Sequence, residues 1–125
     1  RLYTRLADLV DQDRAPQVEI TATLEEIVLQ MSAGRCGATA VLDGDKVVGI
    51  ITDGDLRRHL ERSRSQTVTA SDLMNASPKL MHSSDLAVKA FQILEQNAIS
   101  QVIITEDEQY VGMVHLHDIL REGIF

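Results

Sequence analysis

The segment from Val48 to Arg58, VGIITDGDLRR, returns 63 residues later from Val111 to Arg121 as VGMVHLHDILR. Val, Gly, Asp and Arg recur at matching places, and the register runs without a gap from Thr21 onto Ser84 and from Arg62 onto Phe125. The apolar pattern repeats further than the identities do: Leu24, Ile27, Val28 and Met31 correspond to Ala87, Ala90, Phe91 and Leu94. One small unit is thus used twice. A unit too small to bury its own hydrophobic face packs against its sister, so two pseudo-twofold-related halves with clefts at their seam are expected.

Within each unit the periodicities predict strand, helix, strand, strand, helix. Leu2, Leu6, Leu9 and Val10 have near-helical spacing, which predicts a short helix or a docked linker end. Val18 and Ile20 alternate with polar neighbours after Pro16, as a short strand does. Leu24 to Met31 carries one apolar stripe and stops near Gly34. Ala38 to Leu42 and Val47 to Ile51 are apolar runs joined through Asp43-Gly44, a hairpin signal. A helix follows from Asp53 to about Glu61, with Leu56 and Leu60 as an i, i+4 pair. In the second copy a strand precedes His82, a helix spans Ser84 to Gln96, strands cover Gln101 to Thr105 and Gln109 to His115, and a helix ends near Arg121. The expected domains are 1–15 as a linker or N-terminal helix, 16–62 as the first repeat, 63–76 as a linker and 77–125 as the second repeat. The expected fold class is α/β of the α+β type, with helices packed on small mixed sheets.

Composition excludes several functions. With 44% hydrophobic residues the 125-residue chain can build a core, but two Tyr, two Phe and no Trp leave no aromatic platform for single-stranded nucleic acid. A formal charge of -7 repels polyanions, so no nucleic-acid partner is expected. No apolar run approaches 18 residues, so no membrane insertion is expected. The lone Cys36 rules out an internal disulfide and suits a reducing, cytoplasmic compartment. Because the chain opens at Arg1, it reads as a fragment whose catalytic or anchoring part lies upstream.

The turn Thr52-Asp53-Gly54-Asp55 follows a buried strand and opens a helix. Unpaired N–H groups and the positive end of the helix dipole make such a turn able to hold phosphate. Thr52 would donate to an oxygen, Gly54 would admit the ligand close to the backbone, Asp55 would accept from ribose hydroxyls, and Arg57 or Arg58 would supply charge. Equally, Thr52 followed three places on by Asp55 resembles a helix capping box. Capping alone predicts a capping residue in the second copy, where His115 stands instead. His115 and His117 flank Leu116, and on a continuing strand they point to one side. They are read as polar contacts to a ligand at a cleft rather than as metal ligands, for want of a third and fourth donor. His59 and His82 are expected to be solvated. Cys36 lacks the His or Asp neighbours of a nucleophile.

These two units, each closing on Gly-hydrophobic-hydrophobic-x-x-x-Asp, resemble a tandem pair of cystathionine-beta-synthase (CBS) domains. In that family Gly-x-x-Thr-x-x-Asp marks a nucleotide-binding half-site, and Gly49, Thr52 and Asp55 match it residue by residue. Gly112 and Asp118 match in the second copy, but His115 does not. More narrowly, ITDGDLRR (51–58) and VGMVHLHDILREGI (111–124) resemble the C-terminal CBS pair of bacterial arabinose 5-phosphate isomerases of the sugar isomerase family. The resemblance implies a regulatory module without catalytic residues of its own, detached from an isomerase domain that interconverts ribulose 5-phosphate and arabinose 5-phosphate. That product feeds synthesis of Kdo, an eight-carbon acid of Gram-negative lipopolysaccharide. End-product control then makes CMP-Kdo the first ligand to expect in the inter-repeat cleft, with AMP or ATP second and no required cofactor or metal. Thr52, Asp53, Gly54, Asp55, Arg58, His115, His117 and Asp118 are its expected contacts. The resemblance also implies a homodimer through CBS pairs and a tetrameric parent. A purely structural, oligomerising role is the alternative, served by Leu56, Leu60, Ile119 and Leu120.

Overall fold

The computed structural model describes residues 2–62 and 67–124 and divides them into two compact units. Unit 1 combines the N-terminal residues up to Asp13 with those from Lys79 onward, and unit 2 runs from Arg14 to Pro78. In unit 2 the order is β1 (Gln17–Glu19), α1 (Leu24–Gly34), β2 (Ala38–Asp43), β3 (Lys46–Thr52), α2 (Asp53–Arg62) and a short α3 (Ala70–Leu73). Unit 1 contributes β4 (Leu80–His82), α4 (Ala87–Asn97), β5 (Gln101–Glu106), β6 (Gln109–His115) and α5 (Leu116–Arg121).

Each unit holds a mixed three-stranded sheet with the same topology, β1-β2-β3 and β4-β5-β6. The first pair is parallel and the second an antiparallel hairpin. The repeat seen in the sequence survives at single-residue precision. The irregularity at Val41/Leu42 in β2 has its counterpart at Ile104/Thr105 in β5. Val41 stands opposite Gly49 as Ile104 stands opposite Gly112. The central strand β2 is buried from Ala38 to Leu42, which is why it reads as a continuous apolar run rather than an alternating one.

Two separate cores result. Unit 2 packs Val18, Ile27, Met31, Val41, Ile51 and Ala70 together, and unit 1 packs Leu6, Leu94, Val102, Ile104, Val114 and Ile119. The corresponding helix positions Ile27 and Ala90, and Met31 and Leu94, all point inward. Val28 does not: it is exposed, while its counterpart Phe91 packs on the unit 1 core.

Three sequence expectations change. The N-terminal segment forms two three-residue 3-10 turns, Leu6–Asp8 and Gln12–Arg14, instead of a helix. It is docked firmly all the same, because Leu6 is fully buried and its N–H donates to Asp85 O at 2.9 Å, while Ala87 N–H donates to Thr4 O at 2.8 Å. Residues read as linker beyond Thr69 belong to unit 2: Ala70 N–H bonds Ala22 O at 3.0 Å and Asn75 pairs with Ile50 as an isolated bridge. The linker residues 63–66 and the register endpoint Phe125 lie outside the described residues. The second-copy helix opens at Ala87 rather than Ser84, because residues 82–85 form their own hydrogen-bonded turn, with His82 N–H donating to the Asp85 carboxylate at 3.0 Å. α1 stops at Gly34 as expected, with Arg35 as its left-handed C-cap at φ 56, and Gly34 is needed because a Cβ there would lie 2.6 Å from the Pro16 ring.

The β5–β6 hairpin turns through Asp107 and Glu108, both at positive φ (51° and 64°). Two consecutive positive φ values are the signature of a type I′ turn, which favours Asp-Gly or Asn-Gly because an L side chain is strained there. Glu108→Gly should stabilise the chain by about 1 kcal/mol, raising its melting temperature by roughly 4 °C. Urea unfolding monitored by circular dichroism checks it, and a loss of stability would contradict the turn geometry.

Candidate functional site

In unit 2 the switch from β3 to α2 is built by a reciprocal cap. Thr52 N–H donates to Asp55 Oδ2 at 2.9 Å and Asp55 N–H donates to Thr52 Oγ1 at 3.3 Å. The Thr52 hydroxyl also donates to Asp55 Oδ2, at 3.1 Å. Asp53 N–H is taken by Gly37 O at 2.9 Å. The N–H groups of Thr52, Asp53 and Asp55 are therefore all used inside the fold, and the capping role is realised. Asp55 keeps a second oxygen: Oδ1 accepts from Arg58 Nη2 at 2.8 Å, with the arginine side chain 58% exposed. The guanidinium folds back over Gly54, where a Cβ would stand 3.1 Å from Nη1. Thr52, Gly54, Asp55 and Arg58 thus form one constellation. Asp53 stands apart from it, lining a hollow of about 290 Å³ with Val28, Met31, Ser32, Arg35 and Leu56.

Unit 1 repeats the device with different chemistry. His115 N–H donates to Asp118 Oδ2 at 2.8 Å, and Asp118 Oδ1 pairs with Arg121 as Asp55 pairs with Arg58. The threonine hydroxyl is replaced by an imidazole: His115 Nδ1 accepts the His117 N–H at 2.9 Å. His115 is thus itself the N-cap of α5. Its presence is no argument against capping, since a ring nitrogen offers the backbone the same lone pair that a hydroxyl does. His115 and His117 do come together, with ring centroids 4.5 Å apart and planes tilted by 53°. The cause is not strand alternation, because β6 ends at His115 and α5 begins at Leu116. Burial and the adjacent His117 hold the half-buried His115 imidazole below the ordinary histidine range, with Arg121 adding to this and Asp118 opposing it.

His82 is exposed, as expected, and its Nδ1 accepts the Ser84 N–H at 3.0 Å, whereas His59 is half-buried rather than solvated. Half-buried Cys36 directs its thiol at Ala38 O, 3.5 Å away. Among the described residues no three His, Cys, Asp or Glu side chains are grouped so that they could hold a metal ion. Likewise no helix among them is long and apolar enough to cross a membrane.

The motif glycine Gly49 has a structural task that sequence reasoning missed. A Cβ on it would lie 2.5 Å from Met74 Sδ and 3.0 Å from Asn75 O, so its bareness admits the segment that bridges to Ile50. No pattern in the local sequence announces this contact, since Met74 and Asn75 arrive from beyond the α2 helix. Gly49→Ala should cost roughly 1–3 kcal/mol in chemical denaturation, through overpacking against backbone as well as sulfur. A neutral result would mean that residues 74–75 do not press on β3.

The sequence profile of the CBS domain matches residues 7–62 and 70–124. Arabinose 5-phosphate isomerase KdsD of Pseudomonas aeruginosa is 34% identical over 128 residues, which covers 99% of this chain and 39% of that protein. The chain therefore spans well under half the length of this relative. Among solved structures, the CBS domain of a bacterial CNNM/CorC family Mg2+ transporter in complex with ATP matches at a TM-score of 0.80 and 18% identity, covering 97% of this chain and 87% of that one. The CBS domain protein PAE2072 from Pyrobaculum aerophilum, complexed with AMP, matches at 0.81 and 19%, covering 92% and 89%.

Proposed function

The chain belongs to the CBS-domain family, and from that premise we infer that it is the regulatory ligand-binding module of an arabinose 5-phosphate isomerase, taking a nucleotide or nucleotide-sugar at the strand-to-helix turns. The observation that carries this is the Thr52, Asp55 and Arg58 constellation. One carboxylate oxygen holds the fold while the other, among the described residues, is engaged only by an exposed arginine. An exposed ion pair is worth about 0–1 kcal/mol, so exchanging Arg58 for a ribose or sugar hydroxyl costs little. Arg58 is then released toward a phosphate, which it can grip in bidentate fashion. Gly54 and Asp53 border that ligand from the start of α2, and His115, His117 and Asp118 form the corresponding turn of unit 1. A ligand regulates only by binding two arrangements of the protein with unequal affinity, so the module acts through the isomerase to which it is joined.

Two ligand classes deserve trial. Neighbours of the same fold in complex with AMP and ATP support adenine nucleotides. Likeness to arabinose 5-phosphate isomerases supports CMP-Kdo, by end-product control. A structural, oligomerising role is the second reading, favoured by the exposure of Val28, Leu29, Leu60 and Leu120. Ile119 drops out of that face because it is fully buried in the unit 1 core, and Leu56 is half-buried against the unit 2 core.

Ligand at 100 times its dissociation constant stabilises the fold by about 2.7 kcal/mol, a melting shift of roughly 10 °C. A thermal-shift series with CMP-Kdo, CMP, AMP and ATP should show that shift for at least one compound, and Arg58→Ala should reduce it for phosphorylated ligands. A flat series, together with an isomerase whose assembly fails when these residues are deleted, would transfer the assignment to the structural role.

A further inference from the structure

We propose that His115 makes the entry of α5 a proton-sensitive latch, so that acidification loosens this turn of unit 1 while leaving the equivalent turn of unit 2 closed. The geometry carries it. The lone pair of His115 Nδ1 is committed to the His117 N–H at 2.9 Å. A ring in that arrangement carries its proton on Nε2 and is neutral. Protonation puts an N–H on Nδ1, facing the N–H it had accepted, and the cap is lost. At the matching place in unit 2 the acceptor is the Thr52 hydroxyl, which does not titrate.

The surroundings oppose a charged ring. His117 lies 4.5 Å away, centroid to centroid, and would repel a second imidazolium. Arg121 adds a like charge, and Asp118, the one favourable neighbour among the described residues, is already bound to that arginine and to the His115 N–H. β5 places the uncharged Gln101 opposite His115, and α4, which packs on α5, carries Lys89 and Glu95 at exposed positions. Because the folded turn disfavours the proton that an open turn accepts, the stabilisation is complete above the ordinary histidine range and is lost as pH falls through it.

This device is independent of any ligand. Hydrogen exchange of the 125-residue chain, corrected for intrinsic rates, tests it at pH 7.5 and 5.5. Protection across 115–121 should fall between twofold and about tenfold relative to 52–58, one proton over an open-state pKa of about 6.5 setting the ceiling. His115→Thr, which installs the cap used by unit 2, should abolish the difference. His117→Gln, which keeps the donating N–H and the accepting ring, should retain it. Nitrogen NMR of the imidazole should find His115 with its proton on Nε2 at pH 7.5. Equal loss of protection in both turns, persistence of the difference in His115→Thr, its disappearance in His117→Gln, or a proton on Nδ1 would each overturn the latch.

Discussion

A backbone N–H donating to a carboxylate three residues ahead is the interaction on which the chain's changes of direction depend. Among the described residues it occurs at Arg5–Asp8, Thr23–Glu26, Thr52–Asp55, Thr69–Asp72, His82–Asp85 and His115–Asp118, at 2.8 to 3.0 Å. Each instance closes a turn or opens a helix, where the free donors and the dipole favour negative charge. At Thr23 the bonds from its backbone and hydroxyl hold the Glu26 carboxyl below its ordinary range. The net charge of -7 is therefore partly a folding device. These acids sit where the backbone calls for an anion.

The duplicated architecture was legible because its determinants are local and periodic. Strand and helix bounds follow the apolar pattern from Val18 to Leu60 and again from Met81 to Ile119, and the hairpin irregularity recurs at the same displacement. What escaped was long-range. Leu6 reads as one member of a near-helical apolar stretch, yet its N–H is held by the backbone of Asp85, far along the chain. Residues 69–75 read as linker, yet four backbone bonds tie Ala70, Ser71 and Asn75 to Ala22, Ile20 and Ile50. Nothing within a local window encodes a partner that distant, and the tertiary contacts override the local signal.

The candidate site was legible in its members and less so in their duties. Thr52, Gly54, Asp55 and Arg58 assemble as their spacing implies, whereas Asp53 turns to the groove between α1 and α2. Gly49 stands in the nucleotide-site motif, and its task is packing against Met74. His115 looked like a break in the motif and preserves it, because the property required at that position is an acceptor lone pair and not a hydroxyl. Residue type was the wrong level at which to compare the copies. Hydrogen-bonding capacity is the right one, and at that level position 115 is conservative in structure and different in its response to protons.

Capping and ligand binding have been weighed as rivals, but they draw on different atoms. Oδ2 of Asp55 is committed to the turn, by the Thr52 N–H and hydroxyl, and its release would unseat α2. Among the described residues Oδ1 meets only a surface guanidinium, as Oδ1 of Asp118 does in the other unit. A carboxylate anchored by one oxygen is already oriented, so a hydroxyl arriving at the other finds an acceptor whose rotamer entropy has been spent in folding. The cap that makes the turn stable also preorganises the group that a nucleotide or nucleotide-sugar requires. Removing the cap should therefore weaken binding through disorder before it touches any contact.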